Sequence, residues 1–348
     1  MKKVALFFGG MSSEHDISCL SATTVAEGLA KLPLELYLVG ITKDGKWLLA
    51  KDAEEIRSGA WRNSRTSAQL LPERGAGLLL KGPEGLRQIP VDIAFPELHG
   101  RYGEDGAIQG LFELAGIPYV GANVVASGVC MDKLYTKVLV EQTGVAQARY
   151  LGFTKAELED EQTVTRQVEQ AFTYPVFVKP NDGGSSQGVS RVDDRAGLLP
   201  ALRLAASEGS RVMVEEAIVG RELECAVLSL PEGPAVTGPG EILAAAEFYD
   251  FDAKYTNPAS QTTTEPTLPA GKAEELRRAA ELIYKAVGAY GLSRVDFFLE
   301  KGTERVIFNE VNTLPGFTSI SMYPKLWEAA GMPLSELLQH LLDSAERR

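Results

Sequence analysis

The chain has 348 residues, of which 45% are hydrophobic, 24% charged and 8% aromatic, so it has the composition of a globular protein with room for two or three domains and a full core. Its 35 basic and 47 acidic residues leave a formal net charge of -12. That balance argues against nucleic acid or an anionic membrane as a partner, because both demand a basic field.

Val4 to Phe8 is an apolar run too short for a signal segment, and it ends at Gly9-Gly10. Ile17, Leu20, Val25 and Leu29 then recur at near-helical spacing, which predicts a strand, a glycine turn and a helix. Leu36 to Ile41 predicts a second strand, and Lys43-Asp44-Gly45-Lys46 a turn into Trp47-Leu48-Leu49. Val91 to Phe95 predicts a third strand, followed by His99-Gly100, Gly103-Glu104-Asp105-Gly106 and a helix carrying Ile108, Leu111, Phe112 and Ala115. Up to Gly121 this alternation suggests a small α/β sheet with polar loops at its strand ends, where such folds bind ligands.

From Asn123 the pattern predicts a helix over Asp132 to Thr143, a strand over Val176 to Lys179, a glycine-serine turn and a short strand over Val189 to Val192, together a small sheet with a mobile hairpin. A third segment is expected from near Val212, with strands over Val212 to Glu215, Glu222 to Leu230, Arg294 to Leu299 and Val306 to Asn312, and a helix over Ala273 to Ala286. Ala253 to Pro269, rich in Thr, Asn, Ser and Pro, reads as an ordered but movable loop. Cys19, Cys130 and Cys225 are odd in number and lack CxxC spacing, so they read as reduced thiols. With no apolar stretch of roughly 18 residues, no membrane span is expected and the cytoplasm is the expected location.

Two features carry chemistry. The loop from Asn181 to Gly188 follows a strand ending in Lys179, and its three glycines open backbone N–H groups to an anion while Ser185 and Ser186 add donors. It reads as a phosphate cradle or as a plain hairpin turn, since it matches neither a Walker loop nor a dinucleotide fingerprint. In the strand at Arg294, alternation puts Arg294 and Asp296 on one face and Val295, Phe297 and Leu299 on the other; the same period puts Glu310 and Asn312 together. Adjacent strands would then gather Asp296, Glu310 and Asn312, hard oxygen ligands that suit Mg²⁺ and not zinc. The alternative, a solvated polar face, leaves neighbouring carboxylates repelling one another. Lys137, Lys179, Lys254 and Arg294 together would neutralise a triphosphate. His15, His99 and His340 have no metal spacing and no Gly-x-Ser-x-Gly elbow occurs, so no covalent serine or cysteine mechanism is expected.

These residues resemble the D-alanine:D-alanine ligases of the ATP-grasp family. The likeness is carried by six ordered blocks: Gly9 to His15, His99 to Gly106, Met131-Asp132-Lys133, Gly184-Ser185-Ser186, Phe248 to Tyr255 and Asn309 to Thr318. It implies an α/β fold of the α+β ATP-grasp kind, with a Rossmann-like N-terminal domain over 1–122 and ATP-grasp subdomains over 123–213 and 214–348. It also implies ATP as nucleotide, two Mg²⁺ ions with Mn²⁺ able to substitute, D-alanine as substrate, a role in peptidoglycan synthesis and a homodimer.

The resemblance distributes the roles as follows. Lys137, Lys179 and Ser186 would contact phosphates, Glu215, Ala217 and Ile218 the adenine edge, Glu222 the ribose and Phe248 the base, while Asp296, Glu310 and Asn312 would hold the metal ions. Glu14 and His99 would meet the first D-alanine, Ser321 and Lys254 the carboxylate of the second. Arg294 and the Gly316 N–H would stabilise the oxyanion, and Glu14, Ser185 and Tyr255 would form a hydrogen-bonded triad that ties the Thr-rich loop over the site. Met322 and Tyr255 favour D-alanine over D-serine or D-lactate as second substrate, the D-alanine:D-serine and D-alanine:D-lactate ligases being the alternative. A nonenzymatic ATP-binding scaffold would be expected to have lost Arg294 or the metal carboxylates, and another carboxylate-amine ligase would not need the Glu14 and His99 blocks.

Overall fold

The computed structural model describes residues 1–184, 187–243 and 261–347. Val4 to Phe8 are fully buried in β1 (Lys2–Gly9), and the chain turns at Gly9 and Gly10, both at positive φ, into α1 (His15–Leu29). Only glycine fits at position 9, where a Cβ would lie 2.3 Å from the Ile41 carbonyl oxygen. Leu20, expected on the apolar stripe of α1, is exposed; Cys19, Ala22 and Ala26 pack inward instead.

β2 (Leu34–Ile41) lies parallel to β1. β3 (Trp47–Ala50), α2 (Ala53–Ser58), β4 (Ser67–Leu70), β5 (Leu78–Gly82) and β6 (Gly85–Ile89) follow, and these strands extend the sheet in antiparallel fashion. β7 (Ile93–Glu97) returns to the other side of β1, again parallel. The result is a seven-stranded sheet in the order β6-β5-β4-β3-β2-β1-β7, larger than the small sheet expected. β6 evades hydrophobic periodicity because its residues are mostly exposed.

α3 (Ala107–Ala115), α4 (Val124–Met131) and α5 (Lys133–Glu141) lead to a second, antiparallel sheet. Its elements are β8 (Tyr150–Thr154), α6 (Glu161–Ala171), β9 (Val176–Pro180), β10 (Ser190–Val192), α7 (Arg195–Glu208) and β11 (Arg211–Glu216), in the strand order β10-β9-β11-β8. The strand expected at Val212 to Glu215 therefore belongs here and not to the third segment, and a division after residue 213 would cut it. Its partners explain why: Val212 and Val214 on β11 join Val178, Val192 and Leu202 in a core confined to this unit.

Residues 217–219 cross from β11 into a third sheet. It comprises β12 (Gly220–Leu230), β13 (Gly233–Val236), β14 (Gly240–Leu243), β15 (Gln261–Thr263), then α8 (Lys272–Ala286), β16 (Leu292–Glu300) and β17 (Val306–Asn312). All pairings are antiparallel, in the order β15-β14-β12-β16-β17 with β13 on β12. Gln261 to Thr263, expected as loop, is thus an edge strand. α8 buries Leu276, Ala279, Ala280, Ile283 and Tyr284, a stripe at helical spacing, against Val295, Phe297 and Phe308.

α9 (Met322–Ala329) and α10 (Leu334–Glu346) close the fold. They do not make a separate layer: Leu338, Leu341, Tyr323 and Leu326 share one core with Val25 and Leu29 of α1 and Leu228 of β12. Gly28 is the point of closest approach, where a Cβ would stand 2.4 Å from Leu338 Cδ1. The cysteines are buried and unpaired, and no helix among the described residues is long and apolar enough to cross a membrane. Leu338→Ala opens a cavity in the shared core, so urea unfolding should show a loss of about 2–5 kcal/mol.

Candidate active site

The site grows from loops at the ends of β1 and β7. The His15 ring nitrogen Nδ1 lies 2.7 Å from the Gly10 carbonyl, which fixes the glycine turn, and the Ser12 hydroxyl donates to the His99 carbonyl at 2.7 Å, which ties that turn to the loop after β7. Glu14, next in line, is buried. Its Oε2 is so close to two glycines that a Cβ would stand 2.6 Å away at Gly100 and 2.8 Å away at Gly184. The carboxylate therefore sits between the N-terminal domain and the glycine-serine loop. Ser185 and Ser186 of that loop lie outside the described residues, as do Phe248, Lys254 and Tyr255.

Lys137 on α5 and Lys179 on β9 meet over one carboxylate: Lys137 Nζ is 2.5 Å from Glu215 Oε1 and Lys179 Nζ 2.8 Å from Glu215 Oε2. Burial alone would push the Glu215 carboxyl up, but Lys179 and Lys137 hold it down at about 2. Glu215 thus serves the two lysines, and Ala217 and Ile218 follow it in the half-buried crossing between the sheets. Lys137 is 1% exposed, whereas Lys133, one turn earlier, is more open. Lys133 donates to the Gly183 carbonyl at 2.6 Å and lies 3.9 Å from Glu310, joining the glycine loop to the far sheet. Sequence reading passed over Lys133 although the Met131-Asp132-Lys133 block contained it.

On that sheet the alternation argument is realised in three strands. Glu224 on β12 stands opposite Asp296 on β16, and Asp296 opposite Glu310 on β17; Arg294 stands opposite Asn312. Arg294 grips Asp296 with two bonds of 2.8 and 2.7 Å, and its Nε is 3.2 Å from Glu224. One buried guanidinium balances two buried carboxylates, a counter-charge the sequence left unexplained because Glu224 was not singled out. Strict alternation in β17 would put Val306 and Phe308 on the same face as Glu310 and Asn312. A shift in register between Asp296 and Phe297 avoids this, pairing Phe297 with Phe308 and leaving Asn309 as the extra residue. Phe308 then reaches the core while Glu310 keeps the polar face. Glu222 lies two residues before Glu224 on β12, partly exposed.

The fourth part is the turn after β17. Asn312 Oδ1 accepts the Leu314 N–H at 3.1 Å, Glu104 Oε1 accepts it at 3.2 Å, and His99 Nδ1 is 3.0 Å from the Leu314 carbonyl. A Cβ on Gly316 would meet Ser21 Oγ at 3.0 Å, Ser321 Oγ at 3.1 Å and His99 Nε2 at 3.6 Å, so those three groups converge there. Ser321 also bonds the Thr318 N–H and hydroxyl. Met322 beside it is buried, its sulfur laid over Gly240. Burial and Glu14 push the Glu104 carboxyl up to about 7.

Two sequence profiles account for most of the chain: one described as D-ala D-ala ligase N-terminus matches residues 3–122, and one described as D-ala D-ala ligase C-terminus matches residues 139–343. The chain belongs to the D-alanine–D-alanine ligase family. It is 45% identical to the D-alanine–D-alanine ligase of Acetivibrio thermocellus, covering 100% of this chain and 96% of that one, and 41% identical to that of Clostridium acetobutylicum, covering 100% and 98%. Among solved structures it resembles the VanG D-Ala:D-Ser ligase from Enterococcus faecalis (TM-score 0.89, 36% identity, 99% of each chain). It also resembles the D-alanine-D-alanine ligase from Coxiella burnetii (TM-score 0.86, 32% identity, 99% of this chain and 94% of that one). The fold is accordingly the ATP-grasp fold, and membership carries use of ATP and of a divalent metal ion.

Because Glu215 has its pKa lowered, its contribution to stability is complete above its ordinary pKa near 4.5 and is lost as pH falls toward 2. Glu215→Gln strands two lysines and should cost about 3–5 kcal/mol in urea unfolding at pH 7, with the gap from wild type narrowing between pH 4.5 and 2.

Proposed function

We propose that the chain joins two D-alanines into D-alanyl-D-alanine at the site where the Glu14 loop, the lysine pair and the polar face of the third sheet converge. The observation that carries this reading is the alignment of Glu224, Asp296 and Glu310 across three strands around Arg294, facing Lys133 of the glycine-loop side. The reaction is ATP-dependent: the first D-alanine carboxylate attacks the γ-phosphorus and expels ADP, and the amine of the second D-alanine, giving up a proton, displaces phosphate from the resulting acyl phosphate. No side-chain nucleophile is required.

The donor set suits a hard cation. Among the described residues no cluster of three His, Cys, Asp or Glu side chains forms a cage, but two cross-strand carboxylates and an amide are what Mg²⁺ takes when water and phosphate complete its shell. Each Asp296 oxygen held by Arg294 keeps a further lone pair for a metal. Asp296, Glu310 and Asn312 would hold two Mg²⁺ ions, Mn²⁺ substituting, and the metal supplies neutralisation of phosphoryl charge. Lys179, with Lys133 and Lys137 near it, offers cations to phosphates, and Ser186 would close over them. Ala217, Ile218 and Glu222 are the residues that would meet the nucleoside, with Phe248 assigned to the base.

Glu14 and His99 receive the first D-alanine, Ser321 and Lys254 the carboxylate of the second. Arg294 and the Gly316 N–H face the developing oxyanion. Among the described residues Gly316 N–H has no hydrogen-bond partner, as a donor held ready for substrate requires. The triad of Glu14, Ser185 and Tyr255 excludes water from the acyl phosphate. The buried, apolar Met322 favours D-alanine at the second position, and a cytoplasmic homodimer completes the reading.

ADP and phosphate release from ATP, Mg²⁺ and D-alanine alone, with the product identified by mass, tests the reading; release only after D-serine or D-lactate is added would overturn the specificity. Arg294→Ala should lower turnover on the order of a thousandfold while ATP still binds. It also strands Glu224 and Asp296, at about 3–5 kcal/mol of stability. Arg294→Lys keeps the charge but loses the planar fork, so a fall of roughly a hundredfold in kcat with the fold intact isolates the oxyanion role.

A further inference from the structure

Glu97 at the end of β7 is buried, yet no motif of the site includes it. Its Oε1 and His99 Nε2 are both buried without a hydrogen-bond partner, and they face one another at 3.4 Å. Two such orphans at that separation compensate each other by sharing a proton between Oε1 and Nε2; burial pushes the Glu97 carboxyl up, and His99 opposes it. His99 Nδ1 points at the Leu314 carbonyl and must carry a proton to bond it. A neutral ring would then turn its Nε2 lone pair toward a carboxylate, so the arrangement is consistent with an imidazolium.

The same carboxylate has a second neighbour, Ser21 of α1, which helps to hold its pKa down and whose Oγ accepts the Phe317 N–H at 3.0 Å. Glu97 therefore reaches the 314–317 turn by two arms. His99 holds the Leu314 carbonyl, Ser21 holds the Phe317 N–H, and Gly316 lies between them against both side chains.

We propose that Glu97 is a positioning residue that, through His99 and Ser21, clasps the 314–317 turn to the N-terminal domain and so sets the orientation of the Gly316 N–H toward the reacting carbonyl. The proposal rests on the role given to Gly316 above. The charged groups acting on His99 are Glu97 on β7, Glu104 in the loop that follows and Glu14 ahead of α1. Burial pushes the ring down, but these three carboxylates outweigh it and lift it to about 9. A raised pKa means that the clasp is complete below the ordinary value of 6.5 and is lost as pH rises through about 9.

The test combines an NMR titration of the His99 ring, assigned with His99→Gln, with kinetics of Glu97→Gln. In the wild type His99 should titrate near 9. In Glu97→Gln the midpoint should fall by about one pH unit or more. At pH 8 kcat should fall about tenfold with KM for ATP unchanged, the loss narrowing toward pH 6.5. A wild-type midpoint at or below 6.5 overturns the proposal, and it does so even if Glu97→Gln fails to fold. An unshifted midpoint, or unaltered kcat across pH 6.5 to 9, overturns it equally. The titration needs no turnover, so absence of dipeptide product would count against the reaction and leave the His99 measurement to judge the clasp.

Discussion

Everything on the polar face of the third sheet depends on one buried guanidinium. Arg294 lies against Asp296 and Glu224, with Glu310 next across the sheet, and it is the cation that separates these three carboxylates on their shared face. Such a row is unfavourable by itself, and a cation beside the carboxylates removes that cost. On the proposed mechanism, stability and chemistry draw on the same side chain. The lysine pair repeats the arrangement with signs reversed, two cations around the single carboxylate of Glu215.

Strand alternation made the third sheet legible before any coordinates, because β16 obeys a strict period of two with its apolar face in the core. β17 is less obedient. Its sequence offers no sign that Asn309 is an extra residue, since the shift is set by Phe308 seeking Phe297 across the strand pair. Val212 to Glu215 was placed by pattern in the right conformation but in the wrong sheet: alternation reports a strand and is silent on its partners. Exposed β6 had no apolar signal to read. Glu224, Glu97 and Lys133 were passed over for a related reason, because charges within strands or at helix starts look like surface until an opposite charge is found within about 4 Å.

The cores are divided unequally. The β8–β11 unit keeps its apolar residues to itself, whereas the first and third sheets share a core through α1, α9 and α10. The residues to which the proposed acyl transfer gives a fixed geometry, Glu14, His99, Arg294 and Gly316, all sit on the fused pair. Lys179 of β9, proposed to meet phosphate, sits on the unit with its own core, joined through residues 217–219 and the Lys133 contacts. Rigid substrate elements and a separately packed nucleotide cover are the division of labour that a water-sensitive intermediate needs.

Contact between Gly28 and Leu338 joins the first helix of the chain to the last. On a ribosome, the apolar side of α1 emerges long before α10 exists to cover it. The N-terminal sheet can pair its strands early, yet its core stays open on one side until α10 has been made. Emergence of α10, and not completion of the first domain, is the event that seals this core, so the nascent N-terminal half should be a client for holding chaperones until then.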